Sequence, residues 1–181
     1  MGLSIQRDRL CLIQLSNGDG NAHLVQFEAG GYSAPNLKKL LSNPKTTKIF
    51  HYARFDIAVI RHYLELELTS PVYCTKIASK LVRTYTDKHG LKDVCRELLG
   101  VEISKQQQTS NWGATDLSEE QLAYAASDVL HLHQLRTKLD QMLKDMGRTK
   151  IAEECFRFLN TRVELDLLGW EEHDIFSHAS A

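Results

Sequence analysis

The apolar positions change their period along the chain. Residues 9–16, Arg-Leu-Cys-Leu-Ile-Gln-Leu-Ser, are almost continuously apolar and read as a largely buried strand. Residues 22–27, Ala-His-Leu-Val-Gln-Phe, read as a second strand. Between them, Asn17-Gly18-Asp19-Gly20-Asn21 supplies several residues that accept positive φ, so the pair forms a hairpin and part of the sheet is antiparallel. Pro35-Asn36 opens a short helix with Leu37, Leu40 and Leu41 on one face and Asn36 as its N-cap. Residues 47–50 form a short strand. From Arg54 to Tyr63 the apolar spacing turns helical, and residues 72–74 are briefly extended.

Thr75 then caps a helix whose inner stripe is Ile77, Ala78, Leu81, Val82 and Tyr85. Residues 91–99 form another helix, stopped by Gly100. Residues 102–116 are polar, contain Gln106-Gln107-Gln108, and read as a loop. Ser118-Glu119-Glu120-Gln121 is a capping box. It starts one long helix running to Met146, with Leu122, Ala125, Ala126, Val129, Leu132, Leu135, Leu139 and Met142 facing inward. Residues 149–159 form a last helix. The tail, within about 160–178, carries Leu165, Leu167, Leu168, Trp170, Ile175 and Phe176, and must pack on its own domain or on a neighbouring subunit. Antiparallel strands first, then strands alternating with helices, then helices alone, predict an α/β or α+β domain with a mixed sheet.

At 181 residues the chain fits one domain, 1–181, large enough to bury a core without disulfide staples. Cys11, Cys74, Cys95 and Cys155 are scattered among apolar neighbours, as expected of reduced thiols in a cytoplasmic protein. The eight histidines lack zinc-ligand spacing. There is no apolar run near 18 residues, so no transmembrane helix and no membrane partner are expected, and the N-terminal residues do not form a signal peptide. A net charge of −1 argues against long-range capture of a large duplex, but leaves room for a short nucleic acid held locally.

Two segments could carry chemistry. In Phe50-His51-Tyr52-Ala53-Arg54-Phe55-Asp56, an acid stands at a strand-to-helix passage among bulky neighbours that could wall a pocket. In Tyr124-Ala125-Ala126-Ser127-Asp128, a phenol and an acid four residues apart share one helix face, and small residues leave that surface open. The plain alternatives are an acid favouring a helix N-terminus and a solvated Tyr–Asp pair. An acid so close to an apolar stripe is costly to bury unless it is paired or binds metal. Taken together, the segments suit phosphodiester hydrolysis. Two Mg²⁺ or Mn²⁺ ions held by carboxylates would neutralise the attacking and leaving oxygens, and a phenol would hold the attacking water. Two ions need more carboxylates than these two.

Phe55-Asp56, Cys74-Thr75-Lys76-Ile77-Ala78, His89-Gly90-Leu91-Lys92, Lys105-Gln106, Ser110-Asn111-Trp112 and Tyr124-Ala125-Ala126-Ser127-Asp128 occur in this order. The ordered set resembles the RNase D family of DEDDy exonucleases over residues 1–145. Arg7-Asp8-Arg9-Leu10-Cys11 and Leu167-Leu168-Gly169-Trp170 look most like its nanoRNase C branch. The resemblance implies a ribonuclease H-like mixed sheet flanked by helices. It implies two-metal hydrolysis of short single-stranded RNA, dinucleotides above all, from the 3′ end to 5′-mononucleotides, and a ring-shaped homo-oligomer. Carried over, Asp56 and Asp128 are metal ligands and Tyr124 orients the water. Arg83, Lys88, His89 and Lys105 are candidates for holding a 5′-phosphate, Leu3 for wedging between bases, and Trp112 for stacking on one.

One motif departs from the family. Its first motif, Asp-x-Glu, comes at the end of the first strand a few residues before a Gly-Leu. Here Gly2-Leu3 follows Met1 directly, and no Asp-x-Glu occurs in the 181 residues. The expectation is a start assigned downstream of that motif, a truncated first strand, and a chain impaired in activity. Two other readings are a DNA-directed exonuclease and a non-catalytic nucleic-acid-binding or oligomerisation module.

Overall fold

The structure is a computed structural model that describes residues 8–28, 30–69, 71–104, 106–107 and 109–178. Leu3 and Lys105 lie outside the described residues. The expected hairpin is present. β1 (Leu12–Leu15) pairs antiparallel with β2 (His23–Gln26), with Leu12 opposite Gln26 and Leu15 opposite His23. Its turn is built as the sequence demands. Gly18 and Gly20 take φ of +87° and +89°, and the side chains of Asn17 and Asp19 accept the N–H groups of Asp19 and Asn21.

α1 (Pro35–Leu41) follows, with Ala34 as N-cap and Pro35 in the first turn. Asn36 is therefore inside the helix rather than its cap, because proline's fixed φ pre-sets the first turn one residue earlier. β3 (Lys48–Phe50) leads into α2 (Ala53–Leu64), and β4 (Val72–Cys74) pairs parallel with β3. Thus antiparallel and parallel pairing both occur, but as two separate two-stranded ladders among the described residues. β1 and β3 face each other across a cleft of about 990 Å³.

α3 (Thr75–Val82) begins at Thr75 itself, whose hydroxyl donates to Phe50 O instead of capping. It ends before Tyr85, which is 67% exposed and not part of the inner stripe. α4 (Leu91–Leu99) stops at Gly100, whose φ is +70°. The expected single long helix is two helices. α5 (Glu119–Leu130) and α6 (Leu132–Asp145) meet at His131, with φ −99° and ψ −5°. The break lets α5 pack on the hairpin while α6 packs on α3 and α4. For the same reason Leu122 is exposed, and Leu143 rather than Met142 completes the buried row of α6.

α7 (Thr149–Leu165) runs six residues beyond expectation and ends in a wide turn, Asp166–Trp170. Two apolar clusters form the core. One joins the hairpin, α1, α2 and α7 around Phe27, Leu41, Ile57, Leu64 and Leu159. The other joins α3, α4 and α6 around Val82, Val94, Leu135 and Leu139. Phe156 of α7 packs against both. No helix among the described residues is long and apolar enough to cross a membrane.

Candidate active site

The cleft between β1 and β3 holds the chemistry. Its lining includes Asp56, Trp112, Tyr124 and Asp128, four of the residues singled out in the sequence. It also includes His51, Lys76 and Lys92, which the sequence reading left without a role. Lys76 and Lys92 lie inside segments that carried the family resemblance, and His51 lies in the strand-to-helix segment before Asp56, so the segments held the signal although single-residue arguments did not.

Local structure explains the convergence. Asp56 comes from the first turn of α2, directly after β3, where Tyr52 takes φ +72° and turns the chain sharply from strand to helix. Ala53 is fully buried at that corner, and its N–H rests on Cys74 Sγ at 3.4 Å. Tyr124 and Asp128 come from α5, on one helix face. The α5 capping box is complete: Gln121 N–H donates to Ser118 Oγ at 3.3 Å, and Ser118 N–H donates to Gln121 Oε1 at 3.0 Å. Gln121 does a second job. Its Nε2 donates to Ser110 Oγ at 3.1 Å and to Asn111 O at 3.2 Å. The loop is thereby tied to the helix start, and the Trp112 ring comes to 5.9 Å from that of Tyr124. Gln26 of the hairpin holds the next stretch of loop through Ala114 O at 2.6 Å.

The electrostatics are those of buried acids. Burial raises the Asp56 carboxyl to about 7, and the charge of Asp128 adds to the rise. Burial alone raises Asp128 to about 6. Burial and then the charge of Asp128 hold the Tyr124 phenol above its ordinary value, so it stays a hydrogen-bond donor at neutral pH. Two acids converging on one cleft in this state fit a hard divalent cation, whose charge would lower both values. Among the described residues no group of three or more His, Cys, Asp or Glu side chains comes together, so the carboxylate set present is two.

His51 is pushed down to about 4, by burial first and then by the charge of Lys76, and is neutral at physiological pH. Its Nδ1 lies 2.8 Å from Thr75 Oγ1. The Thr75 hydroxyl also reaches Phe50 O, and His51 Nε2 is buried. Lys76 Nζ sits 4.3 Å above the Tyr52 ring.

Three basic residues proposed from sequence are placed differently. Arg83 is fully buried. Its guanidinium is used by Glu97, by Ser79 Oγ at 3.0 Å and by Lys88 O at 2.7 Å, and no donor is left facing the cleft. His89 is 9% exposed, with Nδ1 2.9 Å from Ser79 Oγ. Lys88 receives Arg83 on its carbonyl. None of the three lines the cleft, although Gly90, Leu91 and Lys92 just beyond them do. The reason is that Arg83, one residue past the last turn of α3, points back under the 84–90 loop instead of outward.

The cleft thus brings two acids, a phenol and an indole together. A family model described as a 3′–5′ exonuclease matches residues 1–144, and the chain belongs to that family. Ribonuclease D from Gluconacetobacter diazotrophicus is 36% identical over 139 residues, which is 77% of this chain and 35% of that protein. The chain thus spans about a third of the length of that curated relative. Brucella melitensis NrnC is 61% identical, with a TM-score of 0.94 over 98% of this chain and 86% of the other. That protein is also known with bound pGG and with bound Mg²⁺. Escherichia coli RNase D, an exoribonuclease involved in structured RNA processing, is 28% identical, with a TM-score of 0.75 over 87% of this chain and 42% of the other. The ribonuclease H-like fold and the RNase D/NrnC kinship expected from the sequence are borne out.

Proposed function

We propose that this chain is a metal-dependent 3′→5′ exoribonuclease that hydrolyses short single-stranded RNA, down to dinucleotides, to 5′-mononucleotides. The observation that carries the reading is the meeting of Asp56, Asp128 and Tyr124, from two separate helices, in one cleft beside Trp112. Support for a short substrate comes from the pGG-bound form of Brucella NrnC. Support for the metal comes from its Mg²⁺-bound form and from the raised carboxyls here.

In this reading Asp56 and Asp128 hold Mg²⁺ or Mn²⁺, which when bound supplies charge neutralisation and an activated water. Tyr124 holds the attacking water through its hydroxyl. Trp112 stacks on a base at the mouth of the cleft. Lys76 and Lys92 bring positive charge to the substrate phosphates, a role the buried Arg83 and His89 cannot share without leaving their partners. A two-ion site needs carboxylates beyond these two. We also propose one exonuclease unit over 1–181, a cytoplasmic location, and a homo-oligomer in which the apolar tail meets a neighbouring subunit. The experiment is release of GMP from labelled pGG with Mn²⁺ or Mg²⁺, beside the deoxy analogue and Asp128→Asn. Faster turnover of the deoxy analogue would favour the DNA reading; binding without release in every form would favour a non-catalytic module.

A further inference from the structure

The C-terminal turn is fastened to the helix that carries Asp56. Arg54 stands two residues before Asp56 in the first turn of α2. Its Nε and Nη2 donate to the two carboxylate oxygens of Asp166, the second at 2.7 Å, and Nη2 also donates to Glu171 O at 2.9 Å. Arg162, in the last turn of α7, forms an ion pair with the same carboxylate at 2.8 Å and donates to Trp170 O at 2.6 Å. The Asp166 side chain is only 11% exposed, so this is a bidentate, charge-assisted contact held largely out of water rather than a surface pair.

The start of α2 needs such a hold. Its N-cap, Tyr52, sits in the left-handed region at φ +72°, which is costly for a tyrosine, and the Tyr52 side chain does not cap the first turn. The cation of Arg54 lies at the positive end of the helix, where the dipole disfavours it; Asp166 beside it reverses that sign. Without the carboxylate, the first turn would be left with a strained cap, an unfavourable charge and the weak sulfur acceptor of Cys74.

We infer that Asp166 is a positioning residue for Asp56: through Arg54 it fixes the first turn of α2 and hence the direction of the Asp56 carboxyl. The inference rests on the reading of Asp56 as a metal-holding acid. Steady-state release of GMP from pGG with Mn²⁺ and residue-resolved amide exchange, both on the full chain, test it in wild type, Asp166→Asn, Arg54→Met and the double variant. The diagnostic amides are those of Ile57, Ala58 and Val59, which in a helix bond to first-turn carbonyls. In Asp166→Asn they are expected to exchange at least tenfold faster, while residues 61–64 and α6 exchange as in wild type. The kcat is expected to fall at least tenfold with KM within twofold, and the double variant to lose no more than Arg54→Met. Unchanged exchange at 57–59, a uniform acceleration across α2 and α6, or additive losses in the double variant would overturn it. A wild type that releases no GMP would instead sink the catalytic reading of Asp56, while the exchange comparison would still decide whether the tail fixes the turn.

Discussion

Asp56 and Asp128 are the residues on which the account turns. Both are acids whose carboxyls are raised in the folded state, to about 7 and about 6. Between the ordinary carboxylate value and those values the folded protein binds more protons than the unfolded chain, so the stability they confer while protonated is lost as pH rises through that window. These two acids therefore favour a lower metal-free melting point at pH 7.5 than at pH 5, opposed by His51 and His89, whose lowered values act in the other direction, so the fall in melting point from pH 5 to pH 7.5 is expected to be larger in wild type than in Asp56→Asn. Glu97 does not blur this, because its Arg83 and Tyr85 hydrogen bonds hold it down to about 2 and its contribution is lost only well below pH 5. Mn²⁺ should raise the melting point more at pH 7.5 than at pH 5, since protons compete for the same oxygens. Asp56→Asn should raise the metal-free melting point at pH 7.5 by several degrees, at about 2–4 °C per kcal/mol in a domain of this size, and should remove most of the Mn²⁺ effect. Thermal unfolding at the two pH values checks this; the same pH dependence in wild type and Asp56→Asn, with a wild-type melting point indifferent to Mn²⁺, would contradict it. For Tyr124, loss of the water-holding hydroxyl in Tyr124→Phe is expected to lower kcat by roughly 10²-fold with KM nearly unchanged, read by steady-state kinetics.

At the scale of elements, what the sequence made legible follows its periodicity. The hairpin, β3, β4 and α4 stand where the apolar pattern and turn residues put them, because local chemistry and tertiary packing agree there. The division at His131 was invisible, since a single residue at φ −99° and ψ −5° scarcely interrupts a 3.6-residue period, and what separates α5 from α6 is the different partners each packs on. Likewise the pairing of Trp112 with Tyr124 depends on Gln121 reaching from a capping box to a polar loop, a long-range use of a local motif. Asp56 and Asp128 stand out in the sequence because acids in such contexts are expensive to bury, and Tyr124 because it shares a helix face with Asp128. Arg83 reads as a candidate for a 5′-phosphate because nothing local announces Glu97 as its partner. Arg83→Ala is expected to cost about 2–4 kcal/mol of stability, near the low end for breaking a buried pair because Glu97 remains 40% exposed. Chemical denaturation reads this, and a variant as stable as wild type would contradict a stabilising role for the buried pair. Gly18→Ala is expected to cost about 1–2 kcal/mol for its left-handed backbone and somewhat more for contact, since a Cβ there would lie 2.9 Å from His133 Cγ.

For the whole molecule, the two ladders, the cleft between them and the tail form one functional problem. The cleft gathers residues from β1, β3, α2, α5 and the 102–116 loop, so its geometry depends on every layer of the fold. The tail presents Leu168, Trp170, Ile175 and Phe176, the last 74% exposed, although Phe176 also lies against Phe158. A homo-oligomer built on that surface should fall apart when it is charged: Phe176→Asp with Leu168→Asp is expected to shift the sedimentation coefficient to that of the single chain. Sedimentation identical to wild type would place the interface elsewhere.

We propose Asp56 and Asp128 as the metal-holding centre of a 3′→5′ exoribonuclease. The most direct measurement is GMP release from labelled pGG with Mn²⁺, in wild type and Asp128→Asn. Release by wild type is expected, stopped by chelation and reduced at least about 10²-fold in Asp128→Asn. Equal release by both proteins, or release that persists after chelation, would contradict it.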